Sequence, residues 1–401
     1  MGLTAKRLNG LWRSDEGPIF LCLLTVFLAI LWRYWSQRGE DFVYYYCAGR
    51  IFSGGGSPYR LETYQACLQW ARGGPNPHIT GGLGFPYSPI ALPVCSVLAW
   101  FAPMFSFALW NVTLALGTAA VIWWIATRDG RRPWAWWGLL LLTSPGFILA
   151  WSYHKMILVL FPCLLWGLRL ARQGHDIPAA SLLAVLSIKP QLVPGLLVFL
   201  ALRGRWRVCA LTAGAMAILL LAVVPILGFS SMGEWREVLL SHHRLVLPFD
   251  SQSLFVAFYK PLRFIFPGPS RGVLIAEWVF LAVLMILGVW QCRKLKWEAS
   301  FNRFWVYYLL ALPYSTGADF LWAFPFFVET LESEERPWKS YGAKIGVAIN
   351  IALAAGLGFY DPAGLARIAY QDRAGYLTCA LFIFNGAGDH LSRIVGIIFR
   401  R

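Results

Sequence analysis

Long stretches without a charge constrain this chain more than any other feature of its sequence. Residues 19–35, 107–127, 134–151 and 157–168 are apolar almost throughout, with Arg33 the one charged residue among them. Residues 208–229, 272–290, 304–312, 320–328 and 345–360 continue the pattern. About 20 apolar residues cross the hydrocarbon core of a bilayer, and shorter runs cross with little tilt or are sheltered by neighbours. No water is present there to satisfy backbone groups, so spanning segments of this kind are helices. The expected fold is all-α, a polytopic transmembrane helical bundle of about 11–13 membrane segments, treated as one integral membrane domain over 1–401. Only 14% of residues are charged, against about 25% in a soluble globular chain, which removes the soluble class.

A net charge of +15 would point to nucleic acid in a soluble protein. Here the basic residues fall in short clusters between apolar runs: Arg128/Arg131/Arg132, Arg169/Arg172, Arg203/Arg205/Arg207 and Arg293/Lys294/Lys296. That is the signature of cytoplasmic loops, and no nucleic-acid partner is expected. Lys6, Arg7 and Arg13 place the N-terminus on the same side. The first apolar run is too long for a signal-peptide core and is expected to stay as the first helix. Two non-spanning stretches then fall on the outer face: 37–87, rich in Gly, Pro and Tyr, and 230–270, with an amphipathic piece over 234–247. The segment 88–101 is interrupted by Pro89 and Pro93 and reads as re-entrant or as a partial helix. Cys47 and Cys67 share the first outer loop, where a disulfide and two separate thiols are both open readings.

Charged groups at membrane depth cost about 2.5 kcal/mol or more each, so they mark function. Four places qualify. Asp41 and Tyr45 share a face at i, i+4 if 40–46 is helical, and a carboxylate there can serve as a general base; an ordinary acidic helix end with interfacial tyrosines is the plainer alternative. Lys189, in Ile188-Lys189-Pro190-Gln191, splits an apolar stretch into two pieces of about a dozen residues. A lysine at such a break suits a phosphate, or snorkels from a turn. His154 and Lys155 occupy an outer turn between two spans. Asp319 lies between apolar runs, behind Pro313, Tyr314 and Ser315. No P-loop, GxSxG or HExxH sequence occurs, and no metal-ligand spacing.

As a set these motifs resemble glycosyltransferase family 87. Asp41-Phe42, followed by Tyr44, Tyr45, Ala48, Gly55 and Pro58-Tyr59, looks like that family's first-loop signature. Phe85-Pro86-Tyr87-Ser88-Pro89 is similar to the entry to its next membrane segment. Lys189-Pro190-Gln191 resembles its Lys-Pro motif, with Arg203-Gly204-Arg205-Trp206-Arg207 following. Ser251-Gln252-Ser253-Leu254 is like its Asn-Gln-Ser-Leu segment, with Ser251 in place of Asn. Tyr153-His154-Lys155-Met156 stands where the family often has Gly-Gln-x-Asn, and Thr316-Gly317-Ala318-Asp319 where many members have Trp-x-His-His.

The resemblance implies a GT-C membrane glycosyltransferase of the bacterial cell (inner) membrane, with its active site on the extracytoplasmic side. It implies transfer of a hexose, mannose above all, from a polyprenyl-phosphate sugar donor to a glycan or glycolipid acceptor, by an inverting single displacement. Asp41 takes the family's catalytic position. Lys189 and Gln191 are the first candidates for the donor phosphate, Lys155 and His154 the second. Tyr45, Tyr59, Gln252 and Asp319 are candidates for sugar or acceptor hydroxyls. No cofactor and no metal site is expected, with a bridging divalent cation left open. Membrane lipids are the other expected partners. A transporter or flippase for a lipid-linked or anionic substrate is the rival class, since it too uses broken helices and intramembrane charge, and an inactive assembly partner is a third.

Overall fold

The computed structural model describes residues 40–72, 84–127, 137–138, 141–142, 144–245, 279, 282–283, 285–290, 292–293, 295–311, 321–322 and 324–325. Among them every regular element is helical, as the apolar runs require. The chain forms two compact units, one of residues 36–127 and 150–249, the other of 1–35, 128–149 and 250–401. The apolar runs at 19–35 and 345–360 lie outside the described residues, as do the candidate residues Gln252 and Asp319.

The first unit opens with α1 (Glu40–Ser53) and α2 (Leu61–Arg72). These run side by side in the same sense, because their contacts advance together. The Tyr64 hydroxyl donates to the Tyr44 carbonyl at 3.3 Å, the Cys67 and Cys47 thiols are hydrogen bonded, and the Arg50 guanidinium covers the Trp70 ring at 4.0 Å. Both cysteines are free thiols, and the bond from Cys47 draws the Cys67 thiol below its ordinary pKa. A 3-10 turn (Pro89–Ala91) runs into α3 (Leu92–Ala99). Together they are too short to cross a bilayer, in keeping with the partial helix expected at 88–101. Then come α4 (Pro103–Ala126), the last residues, 150–152, of α5 (Pro145–Ser152), and α6 (Ile157–Gln173).

Helices α4 and α6 run parallel. Trp110 Nε1 donates to the His154 carbonyl at 3.0 Å near their starts, and Trp166 Nε1 to the Ala120 carbonyl at 3.1 Å further on. At their ends Arg169 reaches Thr127 Oγ1 at 2.6 Å. This second end, rich in arginine, is the basic end of the unit.

The next apolar stretch is broken as Lys189-Pro190 predicted. Helix α7 (Asp176–Ala184) continues into a 3-10 turn (Val185–Ile188). Lys189 itself is non-helical, at φ −107° and ψ 86°, because the ring of a following proline disfavours the α region. A second 3-10 turn (Pro190–Leu192) leads into α8 (Val193–Leu202). The stretch doubles back. Asp176, at its start, lies 3.4 Å from Arg207, just beyond its end, and Arg205 donates to the Arg172 carbonyl at 3.0 Å. Both feet therefore rest at the basic end, with Lys189 at the tip. Each leg reaches about 20 Å, short of the roughly 30 Å of a hydrocarbon core.

Helix α9 (Trp206–Leu227) follows, then α10 (Ser230–Leu245), which starts ahead of the amphipathic piece read from the sequence. Helices α4 and α9, of 24 and 22 residues, are long and apolar enough to cross a membrane. Met104, Phe105, Leu116 and Trp123 of α4, and Ile218, Leu221 and Ile226 of α9, are exposed. Apolar faces of that extent match lipid and not water. The stretch over 37–87 meets the stretch over 230–270 here: Glu234 accepts from Ser57 Oγ at 2.5 Å and from Arg60 Nε at 2.7 Å.

In the other unit, the described part centres on α11 (Trp297–Ala311), where Phe301, Phe304 and Trp305 are buried. Ser300 Oγ donates to the Cys292 carbonyl and Cys292 Sγ to that of Ser300, each at 3.2 Å.

Helix α1 is held by close backbone approach. A Cβ on Gly49 would overlap the carbonyl of Cys95 in α3, so glycine is required for contact. Gly49→Ala is expected to lower the unfolding midpoint by several degrees or to prevent accumulation, whereas Gly54→Ala, which meets only ordinary contacts at 3.5 Å, is expected to match the parent. Fluorescence-detected gel filtration after heating measures both.

Candidate active site

Asp41 lies in the first turn of α1, and the helical spacing read from the sequence brings Tyr45 to it. The Tyr45 hydroxyl stands 3.3 Å from Asp41 Oδ2. A third group completes the cluster. The Tyr87 hydroxyl lies 2.9 Å from that of Tyr45 and 3.5 Å from Asp41 Oδ2. Tyr45 is wholly buried, while Asp41 and Tyr87 remain partly exposed, so the cluster opens outward through the carboxylate and one phenol. Burial, with Tyr87 and Asp41 beside it, pushes the Tyr45 pKa well above its ordinary value. It therefore stays a protonated donor.

The cluster is seated on the turn between α5 and α6. The Asp41 N–H donates to the Tyr153 carbonyl at 3.3 Å, and the Met156 N–H to the Tyr45 hydroxyl at 3.1 Å. That turn caps α5 in a Schellman arrangement, with Lys155 N–H bonded to Ala150 O and His154 N–H to Trp151 O. The residue between must adopt a left-handed backbone. Equivalent bonds close α1, α6 and α8 with Gly55, Gly174 and Gly204 at φ 76°, 84° and 68°. At this one turn the residue is His154, at φ 56°. Left-handed backbone in a non-glycine residue costs roughly 1–2 kcal/mol and persists where the surroundings hold it.

His154 is 1% exposed, its ring is 5.0 Å from that of Phe107, and its Nδ1 has no hydrogen-bond partner among the described residues. Burial lowers its pKa to about 4, so it is a neutral imidazole and carries no charge to offer an anion. Lys155 is partly exposed, with Nζ 5.3 Å from the Tyr153 ring.

Lys189, 9% exposed, joins the cluster through one backbone bond. The Ser88 N–H donates to the Ile188 carbonyl at 3.1 Å, fastening the tip of the broken hairpin beside the residue that follows Tyr87. Gln191 is partly exposed on the turn after Lys189. Tyr59 is buried, and its hydroxyl donates to the Tyr87 carbonyl at 3.2 Å. In this arrangement its hydroxyl supports Tyr87.

Of the residues singled out in the sequence, the structure thus gathers Asp41, Tyr45, Tyr59, His154, Lys155, Lys189 and Gln191 at one end of the first unit. Sequence reasoning quoted Tyr87 and Ser88 within a motif and gave neither a role. The available signal was their rigid setting between Pro86 and Pro89. Among the described residues no group of three His, Cys, Asp or Glu side chains is placed to hold a metal.

Helices throughout the described residues, two of them long and apolar enough to cross a membrane, with a carboxylate, phenols and a buried lysine at one end, are consistent with a membrane protein that carries a polar site. The sequence pattern of glycosyltransferase family 87 matches residues 85–313, more than half of the chain, and the protein belongs to that family of membrane glycosyltransferases. No curated protein and no solved structure matches it. Helix α1 precedes the matched stretch. Asp41 is tied to it by bonds to Tyr87 and to the turn 153–156, both within it.

The clasp between Ser57, Arg60 and Glu234 sets how α10 sits over this end. Burial alone would raise the Glu234 pKa, but hydrogen bonds from Ser57 and Arg60 outweigh it and hold the carboxyl below its usual value. A depressed folded pKa means the contribution is present above the unfolded value of about 4.3 and is lost as pH falls through the folded one. Amide protection factors in 230–245, taken against intrinsic exchange at each pH, are expected to fall on acidification below that value. In Glu234→Gln they are expected to be lower at neutral pH and flat across the same range.

Proposed function

We propose that the protein transfers a hexose, most simply mannose, from a polyprenyl-phosphate donor to a hydroxyl of a glycan or glycolipid at the extracytoplasmic face of the cell membrane. The observation that carries this reading is a partly exposed carboxylate and a buried lysine carried on segments joined through the consecutive residues Tyr87 and Ser88.

Transfer from a lipid phosphate needs two things of the protein. One is a base for the acceptor hydroxyl; the other is positive charge for the departing phosphate. Asp41 is the base: its carboxylate accepts the hydroxyl proton as the acceptor oxygen attacks the anomeric carbon. The bond from that carbon to the phosphate oxygen breaks, and the phosphate departs with the electron pair and with inverted configuration left behind. Lys189 faces the phosphate, with Gln191 as a further donor and Lys155 at the opposite turn. His154 contributes as a neutral hydrogen-bonding group beside them. The Tyr45 and Tyr87 phenols orient the carboxylate through Oδ2. Gln252 and Asp319 remain candidates for sugar hydroxyls.

Membranes supplied with labelled polyprenyl-phosphate hexose test this. Asp41→Asn is expected to lose at least about a hundredfold in transfer while accumulating normally, and Tyr87→Phe about tenfold in kcat, for one hydrogen bond to a charged group. Parental transfer by Asp41→Asn would remove Asp41 as the base.

A further inference from the structure

Ser88 is the second residue of the Tyr87-Ser88 bridge, and its side chain is unexplained by the fold. It is 2% exposed, and its Oγ has no hydrogen-bond partner among the described residues. The neighbouring buried serines behave otherwise: Ser106 donates to the Leu98 carbonyl and Ser187 to that of Ala184. A buried hydroxyl without a partner is destabilising, and this one sits on the segment fastened to the hairpin tip that carries Lys189.

The surroundings specify a ligand for it. The Ser88 N–H is taken by the Ile188 carbonyl, so its backbone is fixed at the hairpin tip one residue from Lys189. Ser88 has φ −66° and ψ 157°, an extended conformation that starts the 3-10 turn Pro89–Ala91 and adds no further side-chain bond. An ammonium group has donors alone, and a hydroxyl has one donor to give. A phosphate, negatively charged and rich in acceptor oxygens, accepts a hydrogen bond from a hydroxyl and the charge of a nearby ammonium at once.

We infer that Ser88 Oγ and Lys189 Nζ together bind the phosphate of the lipid-linked donor, Ser88 supplying a directed hydrogen bond where lysine supplies charge. This rests on the proposed function and names a residue that it does not use. Ser88 donates to a phosphate that gains negative charge as it leaves, so its loss weakens donor binding and slows the transfer step as well.

The test uses full-length protein in phosphatidylcholine nanodiscs, probed with a polyprenyl phosphate without sugar and, separately, with added phosphatidylglycerol. Ser88→Ala removes an orphan hydroxyl, so its melting temperature without probe is expected to equal or exceed the parent's. The probe is expected to raise the parent's melting temperature, and Ser88→Ala is expected to need about tenfold more of it for the same rise. In the transfer assay, kcat over donor KM is expected to fall by at least a similar factor, with acceptor KM within about twofold. Ser88→Ala with parental response to the probe overturns the inference while leaving Asp41 and Lys189 untouched. A parental shift produced equally by phosphatidylglycerol alone also overturns it, since the site would then read any lipid phosphate. A parent that transfers from no polyprenyl-phosphate hexose overturns the functional reading and this inference with it.

Discussion

A helix broken inside a membrane exposes backbone groups that no water can reach, and each must find a partner within the protein. At the break around Lys189 the structure meets that requirement in three bonds. The Lys189 N–H returns to the Leu186 carbonyl, the Leu192 N–H to that of Lys189, and the Ile188 carbonyl receives the N–H of Ser88. The last is the one that reaches across the fold. It couples a hairpin rooted at the basic end to the segment carrying Tyr87, and through Tyr87 to Asp41. A bond required by backbone accounting is thereby the link between the two charged groups of the site.

The other side of the site is held by a cap. Helix α5 ends on a left-handed residue, like α1, α6 and α8, but with His154 where they have glycine. The carbonyl of Tyr153 and the N–H of Met156, flanking that residue, contact Asp41 and Tyr45. Backbone strain here coincides with the groups that position the carboxylate, and the buried His154 ring against Phe107 is the packing that holds it. Helix α1 completes the frame because Gly49 lets it lie directly on α3.

Much of this was legible locally. The i, i+4 spacing of Asp41 and Tyr45 needs only a helix, and α1 supplies one. Pro190 announces the break at Lys189, since the residue before a proline leaves the α region. The arginine clusters at 169–172 and 203–207 placed both feet of the hairpin on one side, and the Arg205 and Arg207 bonds agree. Contacts between distant residues left no such mark. Tyr45 meets Tyr87 across 42 residues and Ser57 meets Glu234 across 177, and neither pairing has a periodicity or motif that specifies the partner. The burial of His154 left no such mark either, since it depends on Phe107 from another helix.

The central claim is a division of labour, with Asp41 acting on the acceptor and Lys189 on the donor phosphate. Equilibrium binding of an intact polyprenyl-phosphate hexose to the full-length protein in nanodiscs separates the two directly. The account predicts that Asp41→Asn binds donor as tightly as the parent, and that Lys189→Ala binds it at least about tenfold more weakly. Equal binding by parent and Lys189→Ala would contradict it, because the buried lysine would then have no part in holding the group that leaves.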